Sequence, residues 1–468
     1  MYVTRIQLED IKGFSGQRSV DLELPGRSGW IVLAGRNSSG KSTLLQAVAL
    51  ALGGPDVARG LNPDFSGWLA RRAPGGMAAV EVERQPHADV FVEPDTRSER
   101  CMLLGLEWAR SSSRSAQRLQ NLEMRALPGV VSAAWSGPWA SNPQGWFCAG
   151  YGPFRRLTGA AGSSHSRDSS VPPGPTATLF REDASLAESV TWAVDLHHRK
   201  LEESQAAWEK GETLRGEQGT LSGEDPEQVA GPLLETVLAL LRDGLLPGRY
   251  QVRGVSADGL WVSERDITDE AFPLREMSDG YRTVAALVLD IVRQLHAAYG
   301  RLSTGPTLEG GTAVLEPGVV LIDEVDAHLH VTWQRRIGDW LRTHFPNIQF
   351  IVTSHSPYIC QAADEDALIR LPGPEEDQPP TVVSQDLYRR VVYGSADDAA
   401  LSELFGLETP FSSRAEQQRQ RLVKLERKVY DGTASSQEKA EYKELSRLLT
   451  SSLQTRVAEV AARLEEDR

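Results

Sequence analysis

WIVLAGRNSSGKSTLLQAVALAL, Trp30 to Leu52, decides the fold: an apolar run, a glycine-bounded polar loop and an apolar helical stretch follow one another without a break. Within it GRNSSGKS, Gly35 to Ser42, fits G-x-x-x-x-G-K-[ST]. The loop stands between a strand pattern, Trp30 to Ala34, and a helix predicted from Lys41 to about Leu52 and ended by Gly53-Gly54-Pro55. A phosphate-binding loop needs that order. Gly35 and Gly40 free the backbone, so the N–H groups of a loop running through Asn37, Ser38 and Ser39 to Thr43 can wrap phosphate oxygens. Lys41 would reach the β and γ oxygens, Ser42 would offer its hydroxyl to Mg²⁺, and the helix N-terminus adds a favourable dipole. The expected ligands are therefore ATP and Mg²⁺.

Two later strand patterns supply what such a loop requires next. VVLIDE, Val319 to Glu324, ends in paired carboxylates, and IQFIVTSH, Ile348 to His355, ends in an imidazole. Asp323 would orient Mg²⁺, directly or through water, and Glu324 would polarise the attacking water. His355, on the same sheet edge, would contact the γ-phosphate. Taken alone, VVLIDE also reads as a buried strand ending at a solvated acidic turn, and a single strand-end histidine as a structural one. Strands alternating with helices of this length imply an α/β fold with a mostly parallel, covered sheet.

Outward from these motifs the chain reads in four parts. Residues 1–55 carry strand patterns (Val3, Ile6, Leu8, Ile11; Val20, Leu22, Leu24) and the phosphate loop. Residues 56–270 mix short strand-like runs, Ala79 to Val82, Cys101 to Trp108 and Trp146 to Ala149, with helical periodicity at Leu186 to Trp208 and Val229 to Leu241. They form an α+β insert together with remaining head elements. Residues 271–370 return to alternating α and β, with a helix expected around Thr332 to Arg342. Residues 381–468 read as polar helices: Ser435 and Glu438 have capping-box spacing, and Leu445, Leu449, Leu453, Val457, Val460 and Leu464 make one apolar stripe, so an αα-hairpin is expected.

The 468 residues hold 50 Lys+Arg against 64 Asp+Glu, a formal charge of −14. That balance argues against coating nucleic acid or an anionic membrane by bulk charge, although a local basic patch stays open. Only eight basic residues are lysines, which makes a lysine inside a motif conspicuous. Cys101, Cys148 and Cys360 are far apart and lack zinc-ligand spacing, no apolar run reaches membrane-spanning length, and the N-terminus lacks a leader pattern. A cytoplasmic protein with no membrane partner is expected.

The motifs together resemble the ABC-type ATPase heads of the SMC and recombination-repair class. The resemblance is strongest to compact bacterial ATPases related to the overcoming-lysogenisation-defect proteins and to the PtuA-like ATPases of Septu and retron-linked anti-phage systems. It is carried by LEDIKGF near the start, GRNSSGKS, GYGPFRR (Gly150 to Arg156), LREMSDGYRT (Leu274 to Thr283), LIDEVDAHLH (Leu321 to His330), FPNIQFIVTSHSP and ALSELFGLET. It covers both ends of the head well and residues 56–270 poorly. The resemblance implies an ABC-type P-loop head in which MSDGYR is the signature, Ser278 and the Gly280 backbone closing on a γ-phosphate held by a second copy in a head-to-tail dimer. Read from the residues alone, SDG is an N-cap and turn before a helix from Tyr281 to Leu295.

Other positions stay open. Gln144 is the candidate Q-loop glutamine. Arg155 and Arg156 suit either phosphate or DNA contact or a solvated turn. His330 stands where transporter ATPases usually carry Asp, which disfavours a transporter subunit. Long heptad arms, a TOPRIM-type acidic cluster and an HNH-type histidine cluster are all missing from the pattern. The resemblance therefore implies an ATPase regulating a separate effector, such as an HNH or TOPRIM nuclease, with any DNA reached through the complex. A DNA-binding repair clamp and an ATP-held scaffold with little turnover are the competing readings.

Overall fold

The uninterrupted apolar run Trp30 to Ala34, with β-branched Ile31 and Val32, builds a buried strand before the phosphate loop, and the loop's glycines end it. In a computed structural model of the chain that strand is the centre of a six-stranded sheet. The structure describes all residues except 63, 90, 92–99, 111–121, 129–133, 136, 141–142, 144, 156–173, 183, 210–229, 247, 249, 266 and 450–468, and the side chains of 207–209 and 267–269. Gln144, Arg156 and the outer part of the C-terminal stripe, Leu453 to Leu464, lie outside the described residues. By its contacts the chain divides into two units, Met1–Ala399 and Ala400–Arg468.

The strands of the first unit are β1 (Tyr2–Glu9), β2 (Val20–Glu23), β3 (Gly29–Gly35), β4 (Gly75–Glu83), β5 (Cys101–Arg110), β6 (Leu122–Ala126), β7 (Cys148–Tyr151), β8 (Tyr250–Ser256), β9 (Gly259–Glu264), β10 (Ile267–Pro273), β11 (Thr304–Pro306), β12 (Thr312–Val314), β13 (Gly318–Ile322), β14 (Ile348–Ser354), β15 (Leu368–Leu371) and β16 (Thr381–Val382). The central sheet runs β16-β15-β3-β14-β13-β7, parallel from β15 to β7, with β16 antiparallel at the edge. Val382 pairs with Ile369 across that edge, so the polar C-terminal stretch begins with a short strand where helix was expected. A second sheet, β2-β1-β4-β5-β6, is antiparallel throughout. The hairpins β8–β9–β10 and β11–β12 form smaller sheets.

The helix Lys41–Leu61 packs between the two large sheets, and its all-round leucine and alanine content follows from that position. The first helical segment breaks at Gly53-Gly54-Pro55, where the sequence predicts its end, and a second segment follows to Leu61. Gly54 adopts φ 76° and ψ −179°, the axis kinks, and the helix resumes with Pro55 as a helix start. Proline has no N–H for the carbonyl of Ala51, and the indole Nε1 of buried Trp139 donates to that oxygen instead, at 3.3 Å. A long-range tryptophan thus makes good the hydrogen bond that proline removes.

Elsewhere the predicted elements sit close to their expected places. The insert contributes helices Ala187–Glu209 and Ala230–Arg242, and the signature region the helix Asp279–Tyr299. The helix expected around Thr332 to Arg342 is two, Val331–Gln334 and Ile337–His344, divided at Arg335-Arg336. In the second unit the helices Ser413–Tyr430 and Ser436–Leu448 form the expected hairpin, cross-linked by Arg421–Glu441 and Lys428–Glu438, with the Ser435/Glu438 capping box formed. Among the described residues no helix is long and apolar enough to cross a membrane.

Candidate nucleotide site

Because β7, β13, β14 and β3 are parallel and in register (Ile322 beside Tyr151 and Val352, Ser354 beside Ala34), their C-terminal ends open on one edge. Parallel α/β sheets bind ligands at that edge. Here it holds the phosphate loop after β3, Asp323 and Glu324 after β13, and His355 after β14. A cavity of about 410 Å³ is lined there by Asn37, Ser38, Ser39, Gly40, Lys41, Ser42 and Thr43 together with Glu324 and His355. Nine residues singled out in the sequence thus line one cavity.

The loop is held open by its backbone. Ser38 (φ 64°) and Gly40 (φ 97°) are left-handed, and Gly40 caps the helix Lys41–Leu61. Lys41 is buried, its ammonium donating to the carbonyls of Gly35 (2.9 Å) and Arg36 (3.0 Å). Burial pulls that ammonium down to about 8, against the attraction of Asp323, Glu324 and Asp326. A polyphosphate in the cavity would favour its charged form. The Ser39 hydroxyl is buried and has no hydrogen-bond partner among the described residues, a donor available to a phosphate oxygen.

The acidic strand end is equally constrained. The Thr353 hydroxyl donates to Asp323 Oδ1 at 2.5 Å and accepts the Glu324 N–H at 2.7 Å, while the Ser354 hydroxyl donates to Asp326 Oδ1 at 2.6 Å. Asp323 is buried behind Glu324 and does not itself line the cavity. Burial first, then Asp323 and Asp326, push the Glu324 carboxyl above the usual carboxylate range, which suits a general base. Burial and Lys41 push His355 down, favouring the neutral imidazole. Among the described residues no cluster of three or more His, Cys, Asp or Glu could hold a resident metal ion. Mg²⁺ carried by nucleotide phosphates needs only one or two protein oxygens; of the two expected donors, Ser42 lines the cavity and Asp323 lies outside its lining.

Two predicted residues lie elsewhere. Ser278 and Gly280 are not among the cavity-lining residues. Ser278 occupies the N-cap position of the helix Asp279–Tyr299, yet its exposed side chain makes no capping hydrogen bond. Gly280 lies so close to the loop after β13 that a Cβ there would come within 2.4 Å of the His328 carbonyl oxygen.

The sequence reading missed several contributors. Lys12, Gly13 and Arg18 line the cavity from the turn after β1. Lys12 belongs to LEDIKGF and is one of the eight lysines, so its rarity was a usable signal; Arg18, tied to the carbonyls of Gly13, Pro372, Gly373 and Glu376, offered none. Arg155 is neither a phosphate or DNA contact nor a solvated residue: it is 2% exposed and bonded to main-chain oxygens.

A phosphate loop and an acidic strand end meet on one edge of a parallel sheet, with an antiparallel sheet packed over the helix between, which is the α/β architecture of a P-loop nucleotide-binding head. Comparisons with known proteins agree. Residues 5–92 match the family model "AAA domain" and residues 253–361 the model "AAA domain, putative AbiEii toxin, Type IV TA system". The chain is 41% identical over 99 residues to "Retron Ec83 probable ATPase" of Escherichia coli (21% of this chain, 17% of that protein). It is 39% identical over 84 residues to Septu protein PtuA of Bacillus mycoides (18% and 10%). To PtuA of Bacillus thuringiensis it is 27% identical over 135 residues (29% and 32%). The matched stretches thus span less than a third of those relatives. Among solved structures, the SMC head bound to the C-terminal winged-helix domain of ScpA aligns over 82% of this chain and 98% of its own, at 14% identity and a TM-score of 0.45. Over these stretches the chain resembles PtuA and the retron ATPases.

Proposed function

We propose that this chain binds ATP with Mg²⁺ and hydrolyses it. In this reading it pairs head-to-tail with a second copy through Ser278 and Gly280, and the ATP-bound pair controls a separate effector protein, a nuclease in anti-phage defence. The observation that carries the reading is the single cavity lined by Lys41, Ser42, Glu324 and His355. The names of the retron and Septu relatives support the defence setting. In the reaction, Lys41 and the loop amides hold the β- and γ-phosphates, Ser42 and Asp323 hold Mg²⁺, Glu324 polarises the water, and His355 contacts the γ-phosphate.

One experiment tests this. Lys41→Ala removes charge-assisted contacts worth about 1.5–3 kcal/mol, so ATP binding by purified protein should weaken about 10- to 150-fold. Glu324→Gln should bind ATP, release no phosphate and run as a dimer when ATP is present. Wild type that fails to bind ATP, or Lys41→Ala that binds it unchanged, overturns the reading. Tight binding with no wild-type turnover favours the scaffold instead.

A further inference from the structure

The segment CAGYGPFR, Cys148 to Arg155, forms β7 and the turn after it, and ends in a buried guanidinium. Arg155 Nη1 donates to the carbonyls of Gly152 (3.0 Å) and Asp323 (2.7 Å), and Nη2 to that of Glu324 (3.0 Å). Its Nε is buried with no partner among the described residues. A guanidinium stays charged and is costly to bury, so a side chain needed only to fill space here would be apolar. The charge sits instead beside Asp323, Glu324 and Asp326. Glu324 has φ 46°, a left-handed conformation that non-glycine residues keep only when their surroundings impose it. Thr353 holds its N–H and Arg155 its carbonyl, which leaves the carboxylate in the wall of the cavity.

We infer that Arg155 is a positioning residue for ATP hydrolysis: its fork of hydrogen bonds fixes the turn that aims Glu324 at the attacking water, and its charge offsets the mutual repulsion of three carboxylates. The inference rests on the role proposed for Glu324. Arg155 does not line the cavity, so its loss should appear in turnover and not in ATP affinity.

The test compares Arg155→Lys, which keeps the charge but loses the fork, with Arg155→Met, which loses both. ATP affinity should stay within about threefold of wild type while kcat falls about 100-fold in Arg155→Met and less in Arg155→Lys, as expected when a catalytic group is displaced by about 1 Å. In a Glu324→Gln background Arg155→Lys should add almost nothing, because it acts through the same carboxylate. Wild-type kcat in Arg155→Lys, or thermal destabilisation as the sole change, overturns the inference. If Arg155→Met does not fold, Arg155→Lys decides alone by its ratio of kcat to affinity. Glu324→Gln serves as the separate control. If it turns over ATP like wild type, the role of Glu324 fails; if it is inactive while Arg155→Lys is fully active, only the inference about Arg155 fails.

Discussion

Gly40 shows how little freedom one position in the loop has. Its φ of 97° is rarely adopted by an L-residue, and an added Cβ would lie 2.5 Å from the ring of Phe14, itself buried and unable to swing aside. Gly40→Ala should therefore cost about 1–3 kcal/mol in chemical denaturation and abolish ATP binding, since relieving the strain moves the amides that face the phosphates. Gly60 is the control: it lies within a helix with nothing within 4 Å of an added Cβ, and Gly60→Ala should be neutral or stabilising by about 0.4–1 kcal/mol with ATP binding intact. Equal effects at the two glycines would contradict this account. Arg155 makes the complementary point. Its neighbours in the chain, GYGPFRR, are compatible with a solvated turn, and only pairing of β7 with β13 puts it under the acidic loop. Local spacing could identify Lys41 but not Arg155, because the first depends on contiguous residues and the second on a contact across more than 160 positions.

The helix after the phosphate loop shows the same limit for a whole element. Its start, its apolar character and the disturbance at Gly53-Gly54-Pro55 were legible, because glycine and proline act locally. The second segment to Leu61 was not, and its junction uses a contact no local pattern could reveal, Trp139, 88 positions away, giving the Ala51 carbonyl a partner. Trp139→Phe keeps an aromatic ring against Gly54 but removes the N–H, leaving a buried carbonyl unsatisfied. Urea unfolding should show a loss of about 1–3 kcal/mol, with helix content falling only slightly. An unchanged midpoint would mean that the carbonyl finds another donor. The helix expected around Thr332 to Arg342 differs from its local propensity: Arg335 and Arg336 are good helix formers, yet a turn there separates two short helices.

At the scale of the molecule, the formal charge of −14 argues against coating nucleic acid by bulk electrostatics, and the structure shows where positive charge is gathered: Lys12, Arg18 and Lys41 line one cavity. That cavity contains Glu324 and His355 but lacks Ser278 and Gly280, the residues proposed to close over a γ-phosphate. If a second copy supplies them, the exposed Ser278 should be dispensable for one chain and essential for two. Its hydroxyl makes no capping bond that substitution would break, so Ser278→Arg should leave the fold and single-chain ATP affinity unchanged while preventing the ATP-dependent dimer by bulk and charge. Light scattering with Glu324→Gln as the parent gives the readout: a dimer with ATP in the parent, a monomer in the Ser278→Arg double variant, and equal nucleotide occupancy in both. Dimerisation that survives the arginine would place the contact between copies elsewhere on the molecule. Loss of occupancy would mean instead that Ser278 serves its own chain's nucleotide, and the head-to-tail reading would fall with it.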